Sequence, residues 1–151
     1  MAGERLKSRF GFGCQVTVRA PVNPSEDPVK VLSAVDQLFG SSSRTGLSSS
    51  AEFVVAEYAG DQALTKVYEQ ARSRMTISVL RRLLRQRQEE GSTSFMLNKQ
   101  VAAGGIVVFC ESEAESPLGP ITVYIETPEL EHFIDWIAPD LRGPRRSFRK
   151  R

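Results

Sequence analysis

The residues of this 151-residue chain best suited to binding chemistry are six arginines between Gln70 and Gln88, a stretch without any acidic residue. They are Arg72, Arg74, Arg81, Arg82, Arg85 and Arg87. A planar guanidinium donates paired hydrogen bonds to phosphate or carboxylate oxygens, and it stacks on unpaired bases. Like charges in one region repel, so we expect anions to neutralise them. Those anions are either RNA phosphates or acidic side chains elsewhere in the fold or in a second subunit.

A second candidate group is the polar triplet Asn98, Lys99 and Gln100, which stands where a strand is predicted to end. Side-chain amides carry both donors and acceptors, so the triplet could contact bases or 2′-hydroxyl groups. Asn and Gln also cap strands and hold loops by hydrogen bonds to the backbone. Because a loop of small residues follows, Val101 to Gly105, the structural role is slightly favoured.

The end of the chain is the clearest polyanion signature. Residues 142–151 hold six basic residues and no acidic one. They are Arg142, Arg145, Arg146, Arg149, Lys150 and Arg151. By composition, residues 141–151 are predicted to be a disordered basic tail and residues 1–12 a flexible basic leader. Removing the nine basic residues and one acidic residue of the two ends leaves 11 basic and 17 acidic residues in 10–141. The predicted body is therefore acidic, and its two ends are basic.

Features of an enzyme are scarce. The one histidine, His132, lies beside Glu129 and Glu131 without metal-binding spacing, and we expect it at the surface. No nucleophile elbow, phosphate-binding loop or zinc-protease motif occurs. Glu111, Glu113 and Glu115 alternate but lack a calcium-loop pattern, so solvated acids are favoured over a cation site. We expect no enzymatic activity, no metal and no cofactor.

Length and composition indicate a single soluble domain over residues 13–140. No apolar run approaches the roughly 20 residues of a membrane helix, and the start lacks a signal-peptide core. We therefore expect a cytoplasmic protein without a membrane partner. Cys14 and Cys110 lie in strand-like runs, which favours two buried free thiols over a disulfide between neighbouring strands.

The elements that would position these residues follow from periodicity. The alternating run Gln15–Ala20 predicts a strand, and Ser25 to Pro28 begins a helix that Gly40 ends. Residues 41–50 predict a mobile serine-rich loop, and residues 52–58 a strand. Two helices follow, with a break at Arg72–Arg74. Strands over residues 93–98, 106–111 and 121–126 predict an antiparallel meander, before a last helix over 128–138.

This order of elements predicts an α+β two-layer sandwich, with helices packed on one face of a mostly antiparallel sheet of about five strands. Phe95 and Phe109 are predicted to be buried. We therefore expect no sheet of the kind that displays aromatic residues for stacking with RNA.

Three segments resemble an archaeal family catalogued as RNA-binding, whose fold is like that of the ribosomal protein that holds 5S rRNA. They are Phe95–Gln100, Glu115–Ile121 and Val18–Pro28, and the resemblance covers roughly residues 14–138. It implies the same sandwich fold and a non-enzymatic RNA-binding function, near ribosomes or RNA processing. The alternative is a protein-interaction or assembly module, such as a homodimer, in which the arginines form ion pairs close to an apolar patch.

Overall fold

The central strand β1 (Gln15–Pro21) shows how the sheet is built. Val16, Val18 and Ala20 are completely buried, and the residues between them point to the opposite side. β1 pairs antiparallel with β3 (Phe53–Ala59) and β6 (Ile121–Glu126), which places Val18 beside Ala56 and Val123. Because all three of these side chains are buried, the same face of each strand meets the core. The computed structural model describes residues 13–141.

The complete sheet has six strands in the order β2-β3-β1-β6-β4-β5, and all pairings are antiparallel. The remaining strands are β2 (Arg44–Ser49), β4 (Ser92–Leu97) and β5 (Phe109–Cys110). One strand more is present than the predicted number of about five.

The helices lie against one face of this sheet, which confirms the predicted α+β sandwich. They are α1 (Pro28–Phe39), α2 (Thr65–Ser73), α3 (Ile77–Gln86), α4 (Lys99–Ala102) and α5 (Leu130–Ile137). Each long helix buries an apolar stripe in one common core, as Leu38, Leu80 and Phe133 show. α1 begins at Asp27, whose carboxylate accepts a hydrogen bond from the Val29 amide, and it ends at Gly40 with a positive φ of 69°.

The prediction of a mobile loop over residues 41–50 was wrong, because Arg44–Ser49 forms the edge strand β2. Its partner β3 supplies the hydrogen bonds through backbone groups, which do not depend on the identity of the side chains. An edge strand with both faces largely exposed carries no alternating apolar pattern. The serine-rich composition therefore concealed it.

The predicted meander of the last three strands was also wrong in its order. β4 lies between β5 and β6, so the chain returns past β4 after forming the two-residue edge strand β5. The short helix α4, which was not predicted, connects β4 to β5. Residues 111–120 then carry the chain across the end of β4 to its other side.

The two predicted helices are confirmed, but Arg72 and Ser73 still belong to α2, and the chain breaks later than predicted, at Met75. This residue has a φ of 62°, an uncommon value for a non-glycine residue, and α3 begins two residues later. Cys14 and Cys110 are both buried and free, as predicted; Cys14 directly precedes β1 and Cys110 lies on β5, and these two strands are not neighbours. Among the helices of residues 13–141, none combines the length and apolar character needed to cross a membrane.

Candidate nucleic-acid interface

The six candidate arginines do not lie on one helix. Arg72 belongs to α2, Arg74 lies directly after it, and the left-handed residue Met75 turns the chain before α3. Only Arg81, Arg82 and Arg85 are residues of α3, because Arg87 follows its last residue. Arg74, Arg81 and Arg85 therefore do not belong to one helix.

Arg81 connects two helices. Its guanidinium donates to Asp135 Oδ1 at 2.9 Å and to the backbone oxygen of Ala138 at 2.9 Å. The Ala138 carbonyl lies at the end of α5, where helix carbonyls lack intrahelical partners. The Arg81 side chain is 19% exposed. It therefore holds α3 against α5 more than it faces solvent.

Arg82 and Arg85 form exposed ion pairs. Arg82 makes a two-pronged contact with the Glu111 carboxylate at 2.8 and 3.3 Å, and Arg85 lies 2.7 Å from Glu131 Oε2. These hydrogen bonds hold the pKa of Glu111 and of Glu131 below the usual range for glutamate. Exposed pairs of this kind contribute little to stability, because water screens the two charges. A phosphate can therefore compete for either guanidinium at little energetic cost.

The other three arginines have no carboxylate partner among the described residues. Arg72 and Arg74 are exposed at the junction of α2 and α3. Arg87 is also exposed, and its guanidinium lies 3.7 Å from Met96 Sδ on the sheet. The six arginines are thus divided between ion pairs within the chain and uncompensated charge.

Two grooves lie on either side of the segment that leads to Leu141. The Arg72 groove, of about 510 Å³, is lined by Tyr68, Arg72, Met75, Ile77, Ser78, Pro139 and Leu141. The α3 groove, of about 660 Å³, is lined by Ser78, Val79, Arg81, Arg82, Arg85, Pro139, Asp140 and Leu141. Among residues 13–141, no acidic side chain lines the Arg72 groove, whereas Asp140 adds a carboxylate to the α3 groove. Both grooves share the wall formed by Ser78, Pro139 and Leu141.

The predicted basic tail lies outside the described residues, apart from Leu141. This holds for Arg142, Arg145, Arg146, Arg149, Lys150 and Arg151. The described chain nevertheless ends at Leu141, which lines both grooves. Leu141 thus lies in the same two grooves as Arg72 and the arginines of α3.

Lys99 is not on the surface, which corrects its prediction as an RNA contact. Its side chain is 3% exposed, and the ammonium donates to the Pro21 oxygen at 2.6 Å, Glu26 Oε1 at 2.8 Å and the Leu118 oxygen at 2.8 Å. Three acceptors use all three donors of the ammonium. Partial burial raises the pKa of Glu26, but hydrogen bonds from the Asn23 amide and Lys99 outweigh it and lower that pKa overall.

Asn98 and Gln100 hold the chain around Lys99. Asn98 caps α4 by accepting from the Val101 amide at 3.1 Å, and it donates to the Glu115 oxygen at 3.2 Å. The buried Ser116 hydroxyl lies 3.3 Å from Gln100 Oε1. The favoured interpretation of the triplet, a structural one, is thereby confirmed for these contacts, although the exposed Gln100 still borders solvent.

The three segments that carry the family resemblance therefore meet at one place. Asn23, from the first segment, donates to the Leu118 oxygen at 2.6 Å, and Lys99 joins the same carbonyl. Gly119 has a φ of 93° and lies so close to Pro21 that a Cβ would be 2.4 Å from Pro21 Cγ. We call Asn23, Glu26, Lys99, Ser116 and Gly119 the Lys99 cluster. Its close contacts explain why these residue types occur in those segments.

Residues on the open face of the sheet were missed by the sequence analysis. Tyr124 is 41% exposed there, and the Arg19 guanidinium lies 3.9 Å from the centroid of the Phe53 ring. Phe95 is completely buried, as predicted, so the aromatic residue that could stack with RNA on this face is Tyr124. The alternation of Ile121, Val123 and Ile125 with Thr122, Tyr124 and Glu126 was the signal that could have found Tyr124.

The residues considered for enzymatic chemistry are dispersed. His132 is exposed on α5, as predicted. Glu111 pairs with Arg82, while Glu115 accepts a hydrogen bond from the Glu111 amide at 3.0 Å. Within residues 13–141, no three His, Cys, Asp or Glu side chains are grouped closely enough to hold a metal ion.

Comparison with known proteins gives a consistent relationship. A family model described as RNA binding matches residues 15–127. The chain is 36% identical over 125 residues to a UPF0201 protein of Metallosphaera sedula, covering 83% of this chain and 87% of that protein. It is also 36% identical over 126 residues to the UPF0201 protein of Saccharolobus solfataricus, with the same coverage of both chains.

Solved structures give the same result. The crystal structure of the UPF0201 protein from Methanococcus jannaschii superimposes with a TM-score of 0.67 at 30% identity, covering 85% of this chain and 96% of that one. A further UPF0201 crystal structure reaches a TM-score of 0.69 at 23% identity, covering 83% of this chain and 94% of that one. At the lower identity, the likeness supports the fold alone.

Proposed function

Because this chain belongs to the family described as RNA binding, together with archaeal UPF0201 proteins, we propose that it is a non-enzymatic, cytoplasmic RNA-binding protein. Its phosphate-binding surface consists of the Arg72 groove, Arg74, the exposed arginines of α3 and the basic segment after Leu141. The surface binds phosphate oxygens by charge and by the paired donors of its guanidinium groups.

The observation that carries this proposal is the position of Leu141. Leu141, which directly precedes the basic segment in the sequence, lines both grooves together with Arg72 and the arginines of α3. The body carries an excess of acidic residues, so a polyanion is attracted where basic side chains are concentrated and acids are few. The Arg72 groove, which has no acidic lining residue, meets that condition.

The candidate residues have different roles in this proposal. Arg72, Arg74 and the basic segment bind phosphate directly, since no carboxylate competes for the two arginines. Arg82 and Arg85 exchange an exposed carboxylate for a phosphate. Arg81 positions α3, Lys99 and Asn98 hold the Lys99 cluster, and Gln100 remains at its exposed edge.

Ribosomal RNA or its processing is the proposed setting. The support is the resemblance of Val18–Pro28, Phe95–Gln100 and Glu115–Ile121 to a family with a fold like that of the 5S-rRNA-binding ribosomal protein. A 5S rRNA transcript is therefore the structured probe of choice, with poly(U) as the unstructured one.

The test measures RNA affinity over a series of salt concentrations with the full chain. One variant carries Arg72→Gln and Arg74→Gln. A second variant replaces the five basic residues between positions 145 and 151 by Gln. Each lost phosphate contact reduces the slope of log affinity against log salt by about 0.7–0.9. We expect both variants to bind more weakly and with smaller slopes than the wild type.

The matched control is Lys30→Gln with Lys66→Gln, which removes two positive charges outside both grooves. We expect its affinity to stay within about twofold of the wild type. If the control and the Arg72/Arg74 variant lose RNA affinity equally, the effect is one of net charge, and the proposed surface is wrong. Absence of RNA binding by the full wild-type chain at low salt would refute the function itself.

A second candidate function, a homodimeric assembly module, is favoured by one observation. Arg81, Arg82 and Arg85 all pair with carboxylates, and two apolar side chains are exposed beside them in the Arg72 groove. Met75 is 87% exposed and Leu141 is 68% exposed. Sedimentation equilibrium of the wild type and Met75→Glu tests this candidate. A dimer that Met75→Glu converts to a monomer supports assembly, and a wild-type monomer at the highest soluble concentration contradicts it.

A further inference from the structure

The face of the sheet away from the helices has a regular composition that strand register makes explicit. One row across four strands consists of Glu57, Thr17, Tyr124 and Ser94. The neighbouring row consists of Val55, Arg19, Thr122 and Met96. Residues one position away along each strand are buried in the core, so these rows face the other side. The exposure of Arg19, Glu57 and Tyr124 shows that no described helix covers the centre of this face.

Two flat surfaces lie at the centre of these rows. The first is the ring of Tyr124, 41% exposed, with the hydroxyl residues Thr17 and Ser94 opposite it on the adjacent strands. The second is the guanidinium of Arg19, whose Cζ lies over the Phe53 ring, 3.9 Å from the ring centroid. Arg19 and Tyr124 are diagonal neighbours in the register, a relation with a typical Cα separation of about 7–8 Å.

We propose that this open face binds unpaired bases of RNA by stacking on Tyr124 and on the Arg19–Phe53 pair. The inference rests on the proposed RNA-binding function and adds a second surface that recognises single strands. Aromatic rings and guanidinium planes displayed on a sheet are the usual means of stacking splayed bases. The hydroxyl groups of the half-buried Thr17 and Thr122 supply donors and acceptors for base edges without competing for the ring faces.

The charges around the platform favour bases at its centre over phosphates. Glu57 stands in the row of Tyr124, and Glu89 and Glu126 line a groove of about 320 Å³ that also contains Tyr124. Carboxylates repel phosphates but accept hydrogen bonds from base amino groups. Arg87 lines the same groove at its rim, against Met96 Sδ, and has no carboxylate partner among the described residues. It is placed to bind a phosphate beside the platform.

A protein partner or a membrane fits this face less well. Tyr124 is the one large hydrophobic residue of the two rows that is substantially exposed within the described chain. Apart from the half-buried Val55 and the buried Met96, the other residues of the two rows carry hydroxyl, carboxylate or guanidinium groups. The core of a stable protein interface is depleted in charged residues, and a membrane surface requires a larger apolar area.

The test compares binding of the full chain to a 12-nucleotide single-stranded RNA of mixed sequence and to the same RNA in a duplex. Stacking on one aromatic ring changes affinity by about 5- to 100-fold. We expect Tyr124→Ala and Tyr124→Leu to lose that factor for the single strand and to change duplex affinity by less than twofold. Tyr124→Leu keeps a large side chain on the strand, so it retains the fold if Tyr124→Ala does not.

Matched controls distinguish stacking from other effects. Tyr124→Phe keeps the ring, and we expect single-strand affinity within about twofold of the wild type. Because no charge is removed, the salt slope of each Tyr124 variant should equal that of the wild type. Ultraviolet crosslinking to the single strand, mapped by mass spectrometry, should label the peptide that contains Tyr124.

The outcomes separate the two proposals. If the basic-segment variant weakens binding but Tyr124→Leu leaves single-strand affinity unchanged, the stacking platform is wrong and the phosphate surface stands. If the wild type binds neither RNA, the RNA-binding function fails and the platform with it. If Tyr124→Leu and Tyr124→Phe lose single-strand affinity equally, the platform is also wrong, because the aromatic ring is then not the group that binds RNA.

Discussion

The ammonium of Lys99 lies 2.8 Å from the carboxylate of Glu26, although the two residues are 73 positions apart. This buried pair joins the end of β4 to the segment between β1 and α1. Lys99 also donates to the carbonyls of Pro21 and Leu118, so one side chain holds three chain segments together. The same side chain looked like a nucleic-acid contact in the sequence, and its burial gives it a structural role.

Lys99→Met should therefore be strongly destabilising. Methionine fills a similar volume but leaves Glu26 and two backbone carbonyls without their donor. Removing one partner of a buried ion pair costs about 3–5 kcal/mol. Urea unfolding measures this loss, with Lys30→Met, an exposed neighbour on α1, as the control expected within about 0.5 kcal/mol. A loss for Lys99→Met as small as the control's would show that the cluster is not a stabilising element.

The lowered pKa of Glu26 predicts a pH dependence of stability. The folded-state pKa lies below the unfolded one, so the contribution is complete above the unfolded pKa, about 4.3 for glutamate. It is lost as the pH falls through the folded pKa. Asp27 and Lys30 line the same groove as Glu26.

Glu26→Gln should thus be less stable than the wild type at pH 7, with a difference that narrows towards pH 3. Urea unfolding at both pH values measures it. Glu69→Gln, at an exposed position of α2, should show neither effect. A constant difference between Glu26→Gln and the wild type over this range would contradict the assigned linkage.

Gly119→Ala should disrupt the contact between the turn at residues 116–120 and the end of β1. The new Cβ would lie 2.4 Å from Pro21 Cγ, and the φ of 93° is unfavourable for any residue with a side chain. Backbone strain and overpacking together cost about 2–5 kcal/mol. Gly104→Ala is the matched control, because its Cβ would be 3.7 Å from the nearest atom, the Val101 oxygen. Thermal and urea unfolding should rank the two variants clearly, and equal stabilities would refute the close contact.

Met75→Gly should stabilise the protein. A left-handed backbone conformation costs about 1–2 kcal/mol in a residue with a Cβ, whereas glycine adds about 0.5–1 kcal/mol of unfolded-state entropy. Since the Met75 side chain is 87% exposed, little packing is lost. The net expectation is a gain of about 0.5–1 kcal/mol in the free energy of unfolding. Met75→Ala keeps the strain and should show no gain; a gain equal to that of glycine would point to the lost side chain instead.

Arg81 and Arg85 should differ in their effect on stability. Arg81 is half as exposed as Arg85, at 19% against 38%, and it alone bonds the end of α5. Arg81→Gln should cost about 1–3 kcal/mol, since it leaves a helix-end carbonyl without its charged donor. Arg85→Gln should cost less than about 1 kcal/mol, with a smaller effect at high salt. Urea unfolding at low and high salt checks both expectations, and the opposite ranking would contradict the assigned roles.

Local patterns were sufficient for much of the fold. The alternation of Val16, Val18 and Ala20 determined β1, and the change from strand to helix at Asp27–Pro28 followed from capping chemistry. The break near Arg74 and the α+β class were also predicted, because periodicity and turn residues act over a few neighbouring positions. Burial of Phe95 and exposure of His132 followed in the same way.

Tertiary structure decided the features that depend on distant partners. Ser48 lies in a strand because the backbone of β3 hydrogen-bonds to β2. Such bonds do not depend on side chains, so the sequence of β2 does not reveal them. The strand order changed because the chain crosses the end of β4 near Leu118. Lys99 is buried in an ion pair with Glu26, and Arg82 pairs with Glu111. Both carboxylates are distant in the sequence and are brought to these side chains only by folding. The sequence by itself determined which residues carry charge and where the apolar residues recur with strand or helix periodicity. Only the fold decided which charges pair, because the energy of a charge pair depends on distance and burial.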